Sequence, residues 1–180
     1  MRTFIAQIRK TIELKLYYVA LTSALSIPEI AGAMNTENGE AKGGGYAAWF
    51  DKWVFPRFEE NTGCKKSTQL SGALCYGYRC AMLHQGRSQQ TNSRRKSSSP
   101  YANIMFIEPG YPNYDMHYVL IGGKALLIQL DKFVEEILCG CELWLDFVEG
   151  TEPFETNYKG FARRHPQGLQ PYVNGVPVIG

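Results

Sequence analysis

The chain has 180 residues, 44% of them apolar and 20% charged, with a formal net charge of +2. That length fits one domain with a sizeable core, and the balance excludes a wholly disordered chain. A charge so near zero names no partner, so any electrostatic argument must come from local clusters.

Ile5, Ile8, Ile12, Leu16 and Val19 recur at spacings of three and four and predict a first helix with one apolar face. Ser26-Ile27-Pro28-Glu29 reads as a restart, because serine caps helices and proline fits a first turn. A short second helix to about Met34 follows, then a Gly- and Asn-rich loop over 35–45. Tyr46, Trp49, Phe50 and Trp53 mark a third helix that ends before Pro56, and core packing explains these rings better than a base-stacking platform.

A fourth helix is expected over Ser67–His84, with Leu70, Leu74, Gly77 and Ala81 as its stripe and Gly86 as its stop. Residues 87–100 (RSQQTNSRRKSSSP) contain no apolar side chain and should form a solvated, mobile loop. Tyr101–Ile107 is a strand candidate. Val119–Ile121 and Ala125–Ile128 flank Gly122-Gly123, a hairpin turn signal. Asp131–Val148 is a last long helix with Phe133, Ile137, Cys141, Trp144 and Val148 on its apolar face. The segment from Thr151 is expected to run irregularly over the surface. The fold class is therefore mainly α, with a helical domain over 1–150, a strand insertion at 101–129 and a tail at 151–180.

No run approaches ~18 apolar residues, so no membrane span is expected. Met1–Lys10 lacks the apolar core of a signal peptide, and five cysteines make an odd number, so free thiols in a reducing cytoplasm are the expectation. Cys139-Gly140-Cys141 has no second pair or histidine at ligand spacing and reads as helix packing. For the same reason neither His117 nor His165 reads as a metal ligand, and no metal or cofactor is expected. Glu135-Glu136 and Glu149/Glu152 read as solvated helix charges. The phosphate-loop lysine and the nucleophile-elbow serine motifs do not occur.

Arg79 and His84 remain. They stand five residues apart in Tyr76-Gly-Tyr-Arg-Cys-Ala-Met-Leu-His-Gln-Gly86, which places them roughly 140° apart on an ideal helix. A joint site then needs a distorted helix end or a second chain. A histidine at a helix end suits proton transfer, and an arginine can hold phosphate oxygens. The plainer alternative is an arginine in an ion pair and a histidine that caps its helix. Arg87, Arg94, Arg95 and Lys96 follow closely enough to approach the same ligand, or to be simply a solvated face.

Arg79-x4-His84, followed by Gly86, resembles the signature of HEPN domains (higher eukaryotes and prokaryotes nucleotide-binding). The framing segments YYVALTSALSIPEIAGAM and NGVPVIG resemble a group of uncharacterised bacterial proteins. The resemblance implies a HEPN-like helical bundle, often dimeric, and for many members a metal-independent endoribonuclease of toxin–antitoxin, CRISPR or phage-defence systems. Arg79 and His84 would then be catalytic, Arg87, Arg94, Arg95 and Lys96 would contact RNA, and a homodimer or an antitoxin would be the partner. The alternative it leaves is a non-enzymatic nucleotide- or RNA-binding subunit. Where the family often has Asn, Asp or His after the arginine, this chain has Cys80.

Overall fold

The structure is a computed structural model that describes residues 1–41, 43–62, 70–88, 101–110 and 116–180. It is mainly helical. Seven helices occur among these residues: α1 (Arg2–Glu13), α2 (Tyr17–Met34), α3 (Gly43–Trp53), α4 (Phe55–Thr62), α5 (Gly72–Gln85), α6 (Leu130–Val148) and α7 (Phe154–Lys159). Strands β1 (Asn103–Ile107), β2 (Val119–Ile121) and β3 (Ala125–Gln129) form a sheet of order β1-β3-β2. Two-residue strands β4 (Arg164–His165) and β5 (Val178–Ile179) pair antiparallel.

Helix α3 is the piece around which the others are placed. Three flanking helices meet its backbone through a glycine. A Cβ on Gly32 of α2 would lie 3.2 Å from the Gly45 carbonyl carbon. One on Gly72 of α5 would lie 2.3 Å from the Ala47 oxygen, and one on Gly140 of α6 would lie 2.7 Å from the Trp53 oxygen. No side chain fits at the last two without moving backbone, so glycine lets these helices approach α3 more closely than a Cβ would allow. Tyr46, Trp49 and Phe50 on α3 are fully buried between them. Their expected role as core rings holds, while Trp53 is only half-buried.

The first two helices divide differently from the sequence expectation. The break falls at Leu14–Leu16, where Lys15 takes φ 58, and α2 runs without interruption through Pro28. Burial decides this. Ala20, Leu21, Ala24, Leu25, Ile27 and Ala31 all lie in the core, and that packing outweighs the one backbone hydrogen bond a proline removes. Leu16 and Val19, expected on the first helix's apolar face, are exposed at 48% and 46%. Helix α4, with Pro56 in its first turn, had no counterpart in the sequence reading.

The hairpin turn forms as expected. Gly122 and Gly123 take φ 57 and 66, and the Lys124 N–H donates to the Ile121 oxygen. The sequence did not indicate that β1 pairs with β3 in parallel, in the register Asn103↔Ala125 to Ile107↔Gln129. The sheet joins the main core: the Phe106 ring packs at a tilt against Phe133 of α6 at 5.0 Å and against Tyr78 of α5 at 5.4 Å. Residues 151–180 are more regular than expected. Phe154 of α7 is buried edge-on to Trp144, and Asn157 Nδ2 donates to the carbonyls of Met34 and Thr36.

Helix α1 is fastened to α6 by charge as well as by Ile5 and Ile8. Arg9 grips Glu135 and Glu142 at 2.7 and 2.6 Å, and Arg2 reaches Asp146 and Glu149. The carboxylates are thus ion-pair partners rather than free surface charges. Hydrogen bonding to Arg9 holds the Glu142 carboxyl below its ordinary range. That contribution to stability is present above the unfolded-state value and is lost as pH falls through the lowered one.

Cys139-Gly140-Cys141 serves packing, as expected. Cys141 is buried, Gly140 meets Trp53, and the half-buried Cys139 donates to Glu135. Burial pushes the Cys141 and Cys75 thiols up to about 12. Gly140→Ala should lower stability by about 1–3 kcal/mol, the usual cost of overpacking. Gly44→Ala, where a Cβ meets nothing within 4 Å, should not lower it. Urea denaturation of the two variants, compared at their midpoints, checks this.

Candidate functional site

Arg79 and His84 both lie on α5, which starts at Ser71, whose side chain accepts from the Leu74 N–H. It ends at Gly86 in the left-handed conformation (φ 62, ψ 27), where the Gly86 N–H donates to Met82 and the Arg87 N–H to Ala81. Glycine is needed at that position, and it stops the helix two residues after His84.

The structure brings the pair together within one chain. Arg79 Nη1 stands 3.0 Å from His84 Nε2. This corrects the expectation that the two would fail to share a face. The ideal-helix angle describes where the Cβ atoms start. Helical side chains lean toward the N-terminus, so the His84 ring tilts back over the preceding turn, and the long arginine reaches around to it. The argument for a second chain drawn from that angle therefore falls away. Guanidinium N–H groups only donate, so His84 Nε2 is the acceptor and carries the lone pair. The neutral ring then holds its proton on Nδ1.

A third residue completes the cluster. Glu29 of α2 forms an ion pair with Arg79 through Oε2 and Nη2. The Arg79 side chain is 12% exposed and Glu29 28%, while His84 is exposed. Arg79 Nε is buried and lacks a hydrogen-bond partner among the described residues. The cluster is thus a half-buried guanidinium, neutralised on one side by a carboxylate and presenting an imidazole to solvent. The sequence places Glu29 in a helix-start signal. Its role depends on α2 continuing through Pro28, and no local sequence signal points to it.

Cys80 follows the arginine and is buried at 3% exposure, facing away from solvent. Arg87 is exposed just beyond the helix end. Arg94, Arg95 and Lys96, with the expected mobile loop, lie outside the described residues.

A second polar cluster is buried beneath the sheet. His117 Nε2 lies 3.1 Å from Glu136 Oε1, the Tyr118 hydroxyl donates to Glu136 Oε2 at 3.2 Å, and the Gln129 N–H donates to His117 Nδ1 at 3.2 Å. Nδ1 is an acceptor, so Nε2–H donates to the carboxylate. This ties the segment before β2 to α6. Glu136 is 4% exposed and so is not the solvated charge expected from the Glu135-Glu136 pair. It is enclosed, and its contacts are those of a fold-holding network. His165 bonds the Gly180 carbonyl at the surface. Among the described residues no group of three His, Cys, Asp or Glu is placed to hold a metal ion, and no helix is long and apolar enough to cross a membrane.

Comparison with protein-family models, with curated proteins and with solved structures gives no match for this chain.

Two outcomes follow from these geometries. Imidazole ¹⁵N NMR of the neutral His84 ring should place its proton on Nδ1, and Arg79→Ala should move it toward Nε2. An unchanged tautomer in the variant would mean that the contact does not form. For the buried cluster, Glu136→Ala leaves the His117 N–H and the Tyr118 hydroxyl without their acceptor. A double-mutant cycle with His117→Ala should give a coupling of about 0.5–3 kcal/mol, measured by chemical denaturation.

Proposed function

We propose that the chain is a metal-independent endoribonuclease of the HEPN type that acts on single-stranded or looped RNA. One observation carries the reading: the 3.0 Å contact between Arg79 Nη1 and His84 Nε2, at an exposed helix end. It sets a cation that can bind phosphate oxygens directly beside a lone pair that can accept a proton. The Arg79-x4-His84-x-Gly86 resemblance supplies the reaction class.

A phosphodiester arriving at the end of α5 draws the Arg79 N–H groups to its non-bridging oxygens. That frees His84 Nε2. The 2′-hydroxyl oxygen then attacks phosphorus while His84 takes its proton, and the bond to the 5′-oxygen breaks. The 5′-oxygen leaves as a hydroxyl after receiving a proton from the imidazolium. The products are a 2′,3′-cyclic phosphate and a 5′-hydroxyl end, with no net change in His84. Arg79 stabilises the charge that builds on the phosphoryl oxygens. Arg87, Arg94, Arg95 and Lys96 steer the backbone without reading sequence. A homodimer, an antitoxin or defence-system partner and a cytoplasmic setting belong to this reading through the same resemblance.

A second reading, a non-enzymatic RNA- or nucleotide-binding subunit, is favoured by the Glu29–Arg79 ion pair. An arginine already neutralised by a carboxylate is a good clamp between α2 and α5, and phosphate must compete with Glu29 for it.

An RNA cleavage assay separates the two. For the nuclease, His84→Ala should lower the cleavage rate about 10²–10⁴-fold and keep most RNA affinity. Arg79→Ala should lower both. EDTA should leave cleavage intact, and the same sequence in DNA should stay uncut, because it lacks the 2′-hydroxyl. Cleavage indifferent to His84→Ala, or abolished by chelation, overturns the assignment. RNA binding that needs Arg79, without cleavage, gives the binding-subunit reading instead.

A further inference from the structure

A cavity of about 330 Å³ lies between the C-terminal part of α2, helix α3 and the C-terminal end of α6. On one side it is lined by the small residues Gly32, Gly45 and Ala48, next to the close α2–α3 contact. The chain has three tryptophans, and all of them, Trp49, Trp53 and Trp144, line this space together with Phe147.

Its polar features distinguish it from a packing defect, which would be lined by apolar groups alone. The Trp144 indole N–H is satisfied by Asn35 Oδ1 at 3.3 Å. The Trp49 indole N–H is buried and has no acceptor among the described residues, although Trp49 is only 3% exposed. The exposed Lys52 also lines the cavity. Its Nζ rests 4.8 Å from the Trp53 ring centroid and 4.9 Å from that of Phe147. Lys52 has no carboxylate within ion-pair distance among the described residues.

We infer that this cavity binds a small aromatic acid, a flat ring system bearing one carboxylate. The rings supply faces and edges for an aromatic ligand, and Lys52 supplies the charge. The volume lies at the small end of ligand cavities and takes one compact molecule rather than a polymer segment. Aromatic cages elsewhere often take quaternary ammonium groups, but here Lys52 repels a cation. The inference is independent of the Arg79/His84 chemistry.

The test uses 2-naphthoate and its uncharged isostere 2-naphthamide, titrated into the full chain. Because every tryptophan lines the cavity, intrinsic fluorescence and the three indole N–H resonances report on it directly. Saturable 2-naphthoate binding is expected, with the indole signals displaced and the amide about tenfold weaker. Lys52→Met should abolish the preference for the acid, and Phe147→Ala should weaken both ligands. Lys52 and Phe147 are exposed, so both variants should keep the wild-type thermal midpoint, which serves as the folding control. No saturable binding at millimolar concentration, equal affinity for acid and amide, or a preference that survives Lys52→Met would each overturn the assignment.

Discussion

The closeness of α3 to its neighbours is the constraint from which the rest of this structure follows. Gly32, Gly72 and Gly140 come from three different helices, and each meets the α3 backbone at a distance a side chain would disturb. Such contacts fix helix separation and sliding more tightly than interlocking side chains, because backbone cannot change rotamer. Helices α2 and α5 both abut α3 and contact each other, and across that contact Glu29 meets Arg79. Beside the close contact between α2 and α3, the tryptophan-lined cavity opens.

The Glu29–Arg79–His84 cluster is held differently from the buried His117–Glu136–Tyr118 cluster, and the difference bears on function. In the buried cluster each heteroatom described has a partner and the residues are sealed. Such a network fixes a local conformation but offers nothing to a ligand. In the other cluster the imidazole is exposed, and Arg79 retains an unpartnered Nε among the described residues. Its guanidinium is shared between a carboxylate that holds it and a ring that an incoming anion can displace. Polar groups with replaceable partners at a surface are where binding and proton transfer can occur.

Features set by local pattern were legible in the sequence. The apolar period over Phe133–Val148, the Gly122-Gly123 turn and the Gly86 stop each depend on a few adjacent residues, and each formed. Features set by burial were not. Pro28 and Ser26 carry a strong local helix-start signal, yet α2 passes through them because its residues on both sides of them, Ala20 to Leu25 and Ala31 to Met34, include many that pack in the core. The parallel pairing of β1 with β3 joins segments far apart in sequence, and neither strand encodes its partner. At the candidate site Arg79 and His84 stood out by type and spacing. Glu29 did not, because it lies fifty residues away on another helix, and Cβ direction alone hid how far an arginine reaches.

The cysteines give this architecture a set of internal clocks. Thiols react as thiolates, so Cys75 and Cys141, buried and pushed up to about 12, are protected from alkylating reagents while the native packing lasts. They guard different seams. Cys75 contacts the Tyr46 hydroxyl where α5 meets α3, whereas Cys141 lies in the core on α6, the helix to which α1 is strapped. A pulse of alkylating reagent therefore times two separate openings in one molecule. If α1 peels away as a unit, Cys141 is modified while Cys75 stays silent; if only global unfolding exposes them, both are modified at one rate.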